Sequence, residues 1–262
     1  MDLGLSGRVA LVAAGSKGLG RAVADELAAE GAAVAICARG AASLDEAVST
    51  IVAAGGRAHG IAADVSQPGE PARVVADAER VFGRVDILVT NAGGPRAATF
   101  DALTGDDWVQ AVRLLLDSAV AFARAAVPGM RARRWGRILN ITSIAAKQPV
   151  DGLMLSNSVR AAVIGFARTL ATEVAADGVT VNNLLPGYTR TARVEELARQ
   201  MAESGGGREG GLVARWEAEI PMRRLGDPRE FAALAAFLAS ERASYITGQS
   251  IAVDGGWIRS LL

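Results

Sequence analysis

The feature that most narrows the fold is a junction near the amino end. Arg8 to Ala13 (RVALVA) is a continuous apolar run. After Ala14 comes Gly15-Ser16-Lys17-Gly18-Leu19-Gly20, and Arg21 to Glu30 then has helical composition up to Gly31, a C-cap glycine. A strand without polar alternation is covered on both faces, as in a parallel sheet. A glycine-rich turn from such a strand into a helix brings backbone N–H groups and a helix N-terminus against a pyrophosphate, with Gly18 and Gly20 allowing the close approach.

The strand–helix unit recurs along the chain. Further strands are predicted at Ala33 to Ala38, Arg57 to Ala62, Val85 to Thr90, Arg137 to Thr142, Thr180 to Leu185 and Ser250 to Val253. Helices are predicted at Ser43 to Ala54, Pro71 to Phe82, Asp107 to Arg133 with a break near Pro128-Gly129, Gly152 to Ala176 and Glu230 to Ala239. Strands alternating with helices through short connections imply a doubly wound parallel α/β sheet, here one domain over residues 1–262. Residues 189–224 break the rhythm, with a helix-like piece at Val194 to Glu203, then Gly205-Gly206-Gly207 and Gly210-Gly211. They read as a substrate lid over the carboxyl ends of the strands, where open α/β sheets bind ligands.

Composition excludes several functions. Twenty-eight basic residues balance 28 acidic ones, so charge points to neither nucleic acid nor a membrane surface as partner. A single cysteine, Cys37, excludes an internal disulfide, and a single histidine, His59, excludes a histidine metal cluster or a Ser-His-Asp triad; no metal site is expected. The longest apolar run, Phe231 to Ala239, is too short to cross a bilayer, and the amino end lacks a signal-peptide pattern, so a cytoplasmic protein is expected.

The end of the second strand bears on the choice of dinucleotide. A free 2′-hydroxyl calls for a carboxylate there and a 2′-phosphate for a cation. This chain has Ala38-Arg39 with no adjacent acid, and Lys17 within reach in the turn, which favours NADPH over NADH.

With these residues in view, the chain resembles the short-chain dehydrogenase/reductase family over essentially its whole length. Ala13-Ala14-Gly15-Ser16-Lys17-Gly18-Leu19-Gly20 is similar to the family's TGxxxGxG turn, with Ala13 and Ala14 replacing the leading Thr and Gly. Asp64-Val65 matches the pair that contacts adenine. Asn91-Ala92-Gly93-Gly94 resembles NNAG, with Thr90 for the first Asn. Pro186-Gly187, Thr189 and Thr191 resemble the segment at the nicotinamide carboxamide, and Tyr245-Ile246-Thr247-Gly248-Gln249 with Val253-Asp254-Gly255-Gly256 matches a carboxyl-terminal signature. The resemblance implies a Rossmann fold, bound NADPH or NADP, a small-molecule substrate and a homotetramer or homodimer.

The resemblance also implies catalysis by Ser, Tyr and Lys in YxxxK with a supporting Asn, and here the chain departs from it. Ser143 matches the Ser. The Tyr position holds Ser156, the Lys position Arg160 and the Asn position Leu115. A serine hydroxyl is a far weaker acid than a phenol, whose pKa is about 10. Arg160, one helical turn beyond Ser156, can bind ribose hydroxyls or a carboxylate but stays protonated and cannot relay a proton. Tyr188, after Pro186-Gly187, reads as packing or lining of the cleft, with a replacement acid as the other reading. His59 and Cys37 read as structural.

Three functions fit. The first is an NADPH-dependent oxidoreductase with an atypical active site, in which Ser143, Ser156 and Arg160 handle a carbonyl, a 3-oxoacyl thioester or a related ketone. The second is a non-redox enzyme on the same fold (dehydration, isomerisation or cyclisation), with Ser143, Ser156, Asn157 and Arg160 forming a pocket for an anion. The third is a cofactor-binding protein without catalysis.

Overall fold

The computed structural model describes residues 2–205 and 209–261. Seven parallel strands form one sheet in the order β3-β2-β1-β4-β5-β6-β7. They are β1 (Val9–Ala13), β2 (Ala33–Ala38), β3 (Arg57–Ala62), β4 (Ile87–Thr90), β5 (Gly136–Ile141), β6 (Val179–Pro186) and β7 (Ser250–Val253). The expected doubly wound α/β sheet is therefore the observed one. Side-chain alternation builds a core on each face. Ala10, Val12, Val34 and Ile36 pack under α1 (Gly18–Ala29), α2 (Ala41–Ala53) and α9 (Pro228–Ala239). Leu11, Ala13, Ala35 and Cys37 pack under α3 (Glu70–Phe82), α5 (Ser118–Arg133) and α6 (Met154–Val174). Cys37 is fully buried, which pushes its thiol up to about 12 and leaves it a small core residue.

The central strands also carry a polar row. Thr90, Asn140, Asn183 and Ser250 stand in register on β4 to β7. Thr90 Oγ1 donates to Asn140 Oδ1 (2.7 Å), Asn140 Nδ2 to Asn183 Oδ1 (3.1 Å), and Asn183 Nδ2 to Ser250 Oγ (3.1 Å). Three buried polar side chains are satisfied by one another, and they tie the strand ends that carry the site.

Two expectations need correction. The long helix after β4 does not break at Pro128. It divides earlier, into α4 (Gly105–Val112) and α5, joined by a π-helical turn at Arg113–Asp117. Pro128 lies inside α5. At the junction Ser118 Oγ donates back to the Leu114 carbonyl oxygen (2.5 Å), the kind of side-chain insertion that widens a turn. The segment from Thr189 to Arg224 holds two helices rather than one, α7 (Ala192–Gly205) and α8 (Glu209–Glu219). Gly206 and Gly207 of its glycine run lie outside the described residues. No helix among the described residues is long and apolar enough to cross a membrane.

Candidate active site

The sheet order reverses between β1 and β4, and the carboxyl ends of β1, β4, β5 and β6 open onto a cavity of about 400 Å³. This is the topological switch point at which doubly wound sheets bind ligands.

The floor on the β1 side is made of backbone. Lys17 is extended and serves as N-cap of α1 without a side-chain hydrogen bond, and the helix's first turn contains no acid. The helix therefore presents free N–H donors and its positive end to the groove. Gly20 lies where a Cβ would stand 2.5 Å from the Ala14 carbonyl oxygen and 2.7 Å from Asn91 Nδ2. Only glycine lets the turn, the helix and the end of β4 close together. Asn91 Nδ2 donates to the Ala14 carbonyl oxygen (3.4 Å), and Gly15 N–H to that of Cys37 (3.2 Å). Ala14 itself sits at a φ of +46°, a conformation that suits glycine.

Most of the residues singled out in the sequence meet here. Lys17, Gly18, Leu19, Asn91, Ala92, Gly93, Ser143, Ser156, Arg160, Pro186, Gly187, Thr189 and Thr191 all line the cavity. Gly15, Ser16 and Gly20 lie inside or beside the turn rather than on the cavity wall. Arg39 is exposed at the end of β2, Asp64 is half-buried after β3 and Val65 is buried in the core beside Ile61 and Val74, so none of these three is on the cavity wall. Asp64 accepts hydrogen bonds from Ser66 N–H (3.0 Å) and Ser66 Oγ (2.7 Å); these bonds and the Arg39 charge hold its carboxyl below the usual range, although burial works in the opposite direction.

The β5 side is made of side chains. Ser143 caps a short 3₁₀ turn at Ile144–Ala146, its Oγ accepting from Ala145 N–H (3.1 Å), which leaves its own proton free to donate. Ser156, at the start of α6, is buried. Arg160, a turn later, is 9% exposed and reaches back to the end of β5, where Nη1 donates to the carbonyl oxygens of Ile141 (3.2 Å) and Thr142 (2.7 Å). Its buried Nε has no hydrogen-bond partner among the described residues. Burial, with Arg193 close by, lowers the guanidinium to about 10, so it remains a cation at neutral pH.

Asn157 does not join this group. Its amide accepts from Val150 N–H (3.2 Å) and donates to the Val150 carbonyl oxygen (3.0 Å), which pins the loop before α6. Leu115 lies in the π-helical turn, buried against Ala111, Leu155 and Val159. Tyr188 is buried, stacked on Trp216 (4.3 Å, 14°) and edge-on to Trp257 (6.0 Å, 88°). Burial pushes its phenol up to about 12, so Tyr188 forms a wall of the cavity and is a poor proton donor. His59, on β3, packs edge-on to Phe82 away from the cavity. Among the described residues no group of three or more His, Cys, Asp or Glu is placed to hold a metal.

Sequence reasoning placed the segment 189–224 over the site but did not single out the apolar wall (Ile144, Val150, Leu153, Val194, Leu197) or Arg193. Arg193 sits two residues past Thr191 and donates to the Pro95 carbonyl oxygen (3.3 Å) across the cavity mouth. Its place in the first turn of α7 is the one signal that could have found it.

The profile described as enoyl-(acyl carrier protein) reductase matches residues 13–258. A 3-oxoacyl-(acyl-carrier-protein) reductase of Vibrio cholerae is 36% identical over 254 residues, covering 97% of this chain and 98% of the relative. Among solved structures, L-sorbose reductase from Gluconobacter frateurii in complex with NADPH and L-sorbose has a TM-score of 0.94 and 38% identity, with all of both chains covered. An NADPH-dependent reductase involved in bacilysin biosynthesis has a TM-score of 0.91 and 31% identity, covering 97% of this chain and 99% of that one.

Proposed function

The chain belongs to the short-chain dehydrogenase/reductase family, and from that premise we propose that it is an NADPH-dependent oxidoreductase that reduces the carbonyl of a 3-oxoacyl thioester or a related ketone at an atypical active site. One observation carries this reading: a single cavity joins the glycine turn, the Asn91–Gly93 segment and the Pro186–Thr191 segment to Ser143, Ser156 and Arg160.

The residues fit the dinucleotide. The uncapped end of α1 offers N–H groups to a pyrophosphate, and Gly18 leaves it open space, a Cβ there meeting nothing nearer than Thr191 at 3.8 Å. Lys17 and Arg39, both exposed, take the 2′-phosphate, Asp64 and Val65 flank the adenine, and Pro186, Gly187, Thr189 and Thr191 receive the nicotinamide end. When bound, the nicotinamide supplies a hydride. Ser143 Oγ donates to the carbonyl oxygen and holds the carbon toward the cofactor face. Ser156 narrows the site beside it. Arg160 keeps a fixed positive charge under the developing alkoxide, and water at the cavity mouth supplies the proton. Loss of a positioned general acid lowers rates by about 10²–10⁴, so turnover is slow by comparison with a tyrosine-bearing site.

The described part of residues 189–224 acts as the substrate lid, a reading supported by Arg193, Val194 and Leu197, which line the cavity. The molecule works in the cytoplasm as a homodimer or homotetramer. The relatives above are named as reductases, and none of them supports the non-redox or the non-catalytic alternative.

The test is transfer of deuterium from 4-deuterated NADPH to a panel of ketones, read by mass spectrometry. Labelled alcohol is expected, with kcat falling at least about 10-fold in Ser143→Ala. Nucleotide binding with no labelled product from any ketone would overturn the reading.

A further inference from the structure

The cavity is lined by four cationic side chains, Lys17, Arg96, Arg160 and Arg193, and by no carboxylate among the described residues. The imbalance is local, because the chain as a whole has no net charge. Elsewhere arginines meet acids: Arg8 meets Glu241, Arg73 meets Glu70 and Asp77, Arg84 and Arg133 meet Asp86, and Arg224 meets Glu230.

Two of the four cavity cations are accounted for. Arg96 pairs with Asp107 (3.1 Å), and Lys17 stands in the glycine turn where phosphates would draw it. Arg160 and Arg193 are not. Arg160 is nine-tenths buried, is hydrogen-bonded to two backbone carbonyls, and has an unpartnered Nε. Arg193 spans the mouth from α7 to the Pro95 carbonyl oxygen, so close to Gly94 that a Cβ there would stand 2.5 Å from Nη2. The charge felt at Arg160 is that of Arg193, which repels it. A buried cation with a second cation on the same cavity and no acid there is unfavourable to fold. It becomes favourable once an oxyanion enters that cavity, because guanidinium N–H groups pair strongly with a carboxylate.

We propose that Arg160 and Arg193 form an anion subsite for the substrate, and that the compound reduced is a free keto acid. Its carboxylate lies between the two guanidiniums, its carbonyl at Ser143, and its apolar body against Ile144, Val150, Leu153 and Tyr188. The proposal rests on the reductase reading and narrows it, from an acyl thioester to a carboxylate-bearing ketone. The cofactor's pyrophosphate is a second source of oxyanion. Its place is the end of α1, whereas Arg160 stands beside Ser143 at the end of β5.

The test is calorimetric titration of the full chain, saturated with NADP, with pyruvate, levulinate and phenylglyoxylate and with the methyl ester of each. At least one acid is expected to bind about 30-fold or more tightly than its ester, as charge-assisted pairing implies. Arg193→Gln should weaken that acid about 10-fold or more, leaving the ester and the NADP affinity within about 3-fold, and Arg160→Met should abolish the preference for acid over ester. Equal binding of acid and ester, or no binding of any acid, would overturn the proposal. So would an Arg193→Gln protein that loses NADP affinity as much as acid affinity, since the anion would then be the cofactor's. Arg193 is on the rim and its variant is expected to fold, so it carries the test alone if Arg160→Met does not fold. A chain that binds no NADP at all would refute the reductase reading. The same titration without nucleotide would still report whether acid is preferred to ester.

Discussion

The two ends of the cavity are built from different materials. On the β1 side the site is backbone: a turn, a helix end and glycines, set on strands whose buried side chains are almost all apolar. On the β5 side it is side chains: Ser143, Ser156 and Arg160, set on strands crossed by the Thr90–Asn140–Asn183–Ser250 row. A backbone site depends on where glycine is compulsory and fails through steric clash. A side-chain site depends on register, and that register is held here by buried hydrogen bonds. The two ends should therefore break in different ways.

The largest effect is expected in the turn. Gly20→Val forces a branched side chain into the Ala14 carbonyl and the Asn91 amide. NADPH affinity should fall at least about 100-fold, or the melting temperature should drop by several degrees as the turn opens, roughly 3 kcal/mol in either case. Fluorescence titration and calorimetry measure the two. Binding and stability that both survive Gly20→Val would mean the turn does not close as described.

This contrast also explains what was legible beforehand. The turn, the strand positions and the topology could be read because apolar runs, glycines and short connections each have one local meaning. Ser143, Ser156 and Arg160 could be found by resemblance to the family's catalytic positions, just after β5 and in α6, and they do line one cavity. Their partners could not be found that way. Asn157 stands next to Ser156 in sequence, yet its amide turns to Val150, because a helix sends successive residues in different directions. The π-helical turn around Leu115 arises from a backbone carbonyl taken up by Ser118, where the sequence drew attention to Pro128 instead. Arg193 and Trp216 come from the one segment outside the strand–helix rhythm, so no periodicity pointed to them.

The next effect tests the polar row. Asn183→Leu removes the acceptor for Asn140 Nδ2 and the donor to Ser250 Oγ at a fully buried position. It should cost about 2–4 kcal/mol in urea unfolding. The matching change in the nucleotide half, Ile36→Val, should cost only about 1 kcal/mol, since it deletes one methyl group from a core. Equal losses would mean that the row does not distinguish the two halves.

Two smaller effects concern the nucleotide half alone. Arg39→Ala should weaken NADPH about 10-fold and leave NADH unchanged, as loss of one charge-assisted contact implies. Stability should also fall at alkaline pH through Cys37. Its thiol is held protonated by burial up to about 12, whereas the unfolded thiol titrates at 9.0. The unfolded chain therefore loses the proton first, and stability declines as pH rises above 9. The loss is roughly 1 kcal/mol by pH 10, and Cys37→Ala should remove that part of the slope in urea titrations at pH 8 and 10.

The smallest effect is a gain. Ala14 sits at a φ of +46°, where an alanine side chain crowds its own backbone by about 1–2 kcal/mol relative to glycine. Glycine in turn gives the unfolded chain more freedom, which offsets about half of that. Ala14→Gly should therefore raise stability by about 0.5–1 kcal/mol, seen as a melting temperature higher by one to a few degrees. The position also accepts the Asn91 hydrogen bond through its carbonyl, and the substitution leaves that bond in place. NADPH affinity should then stay within about 2-fold, because the turn's donors are backbone groups whose directions are already set. A stabilised variant with unchanged affinity would show that the nucleotide half tolerates strain its function does not use. A stabilised variant that binds NADPH more weakly would show instead that the strained Ala14 backbone helps aim the turn at its ligand.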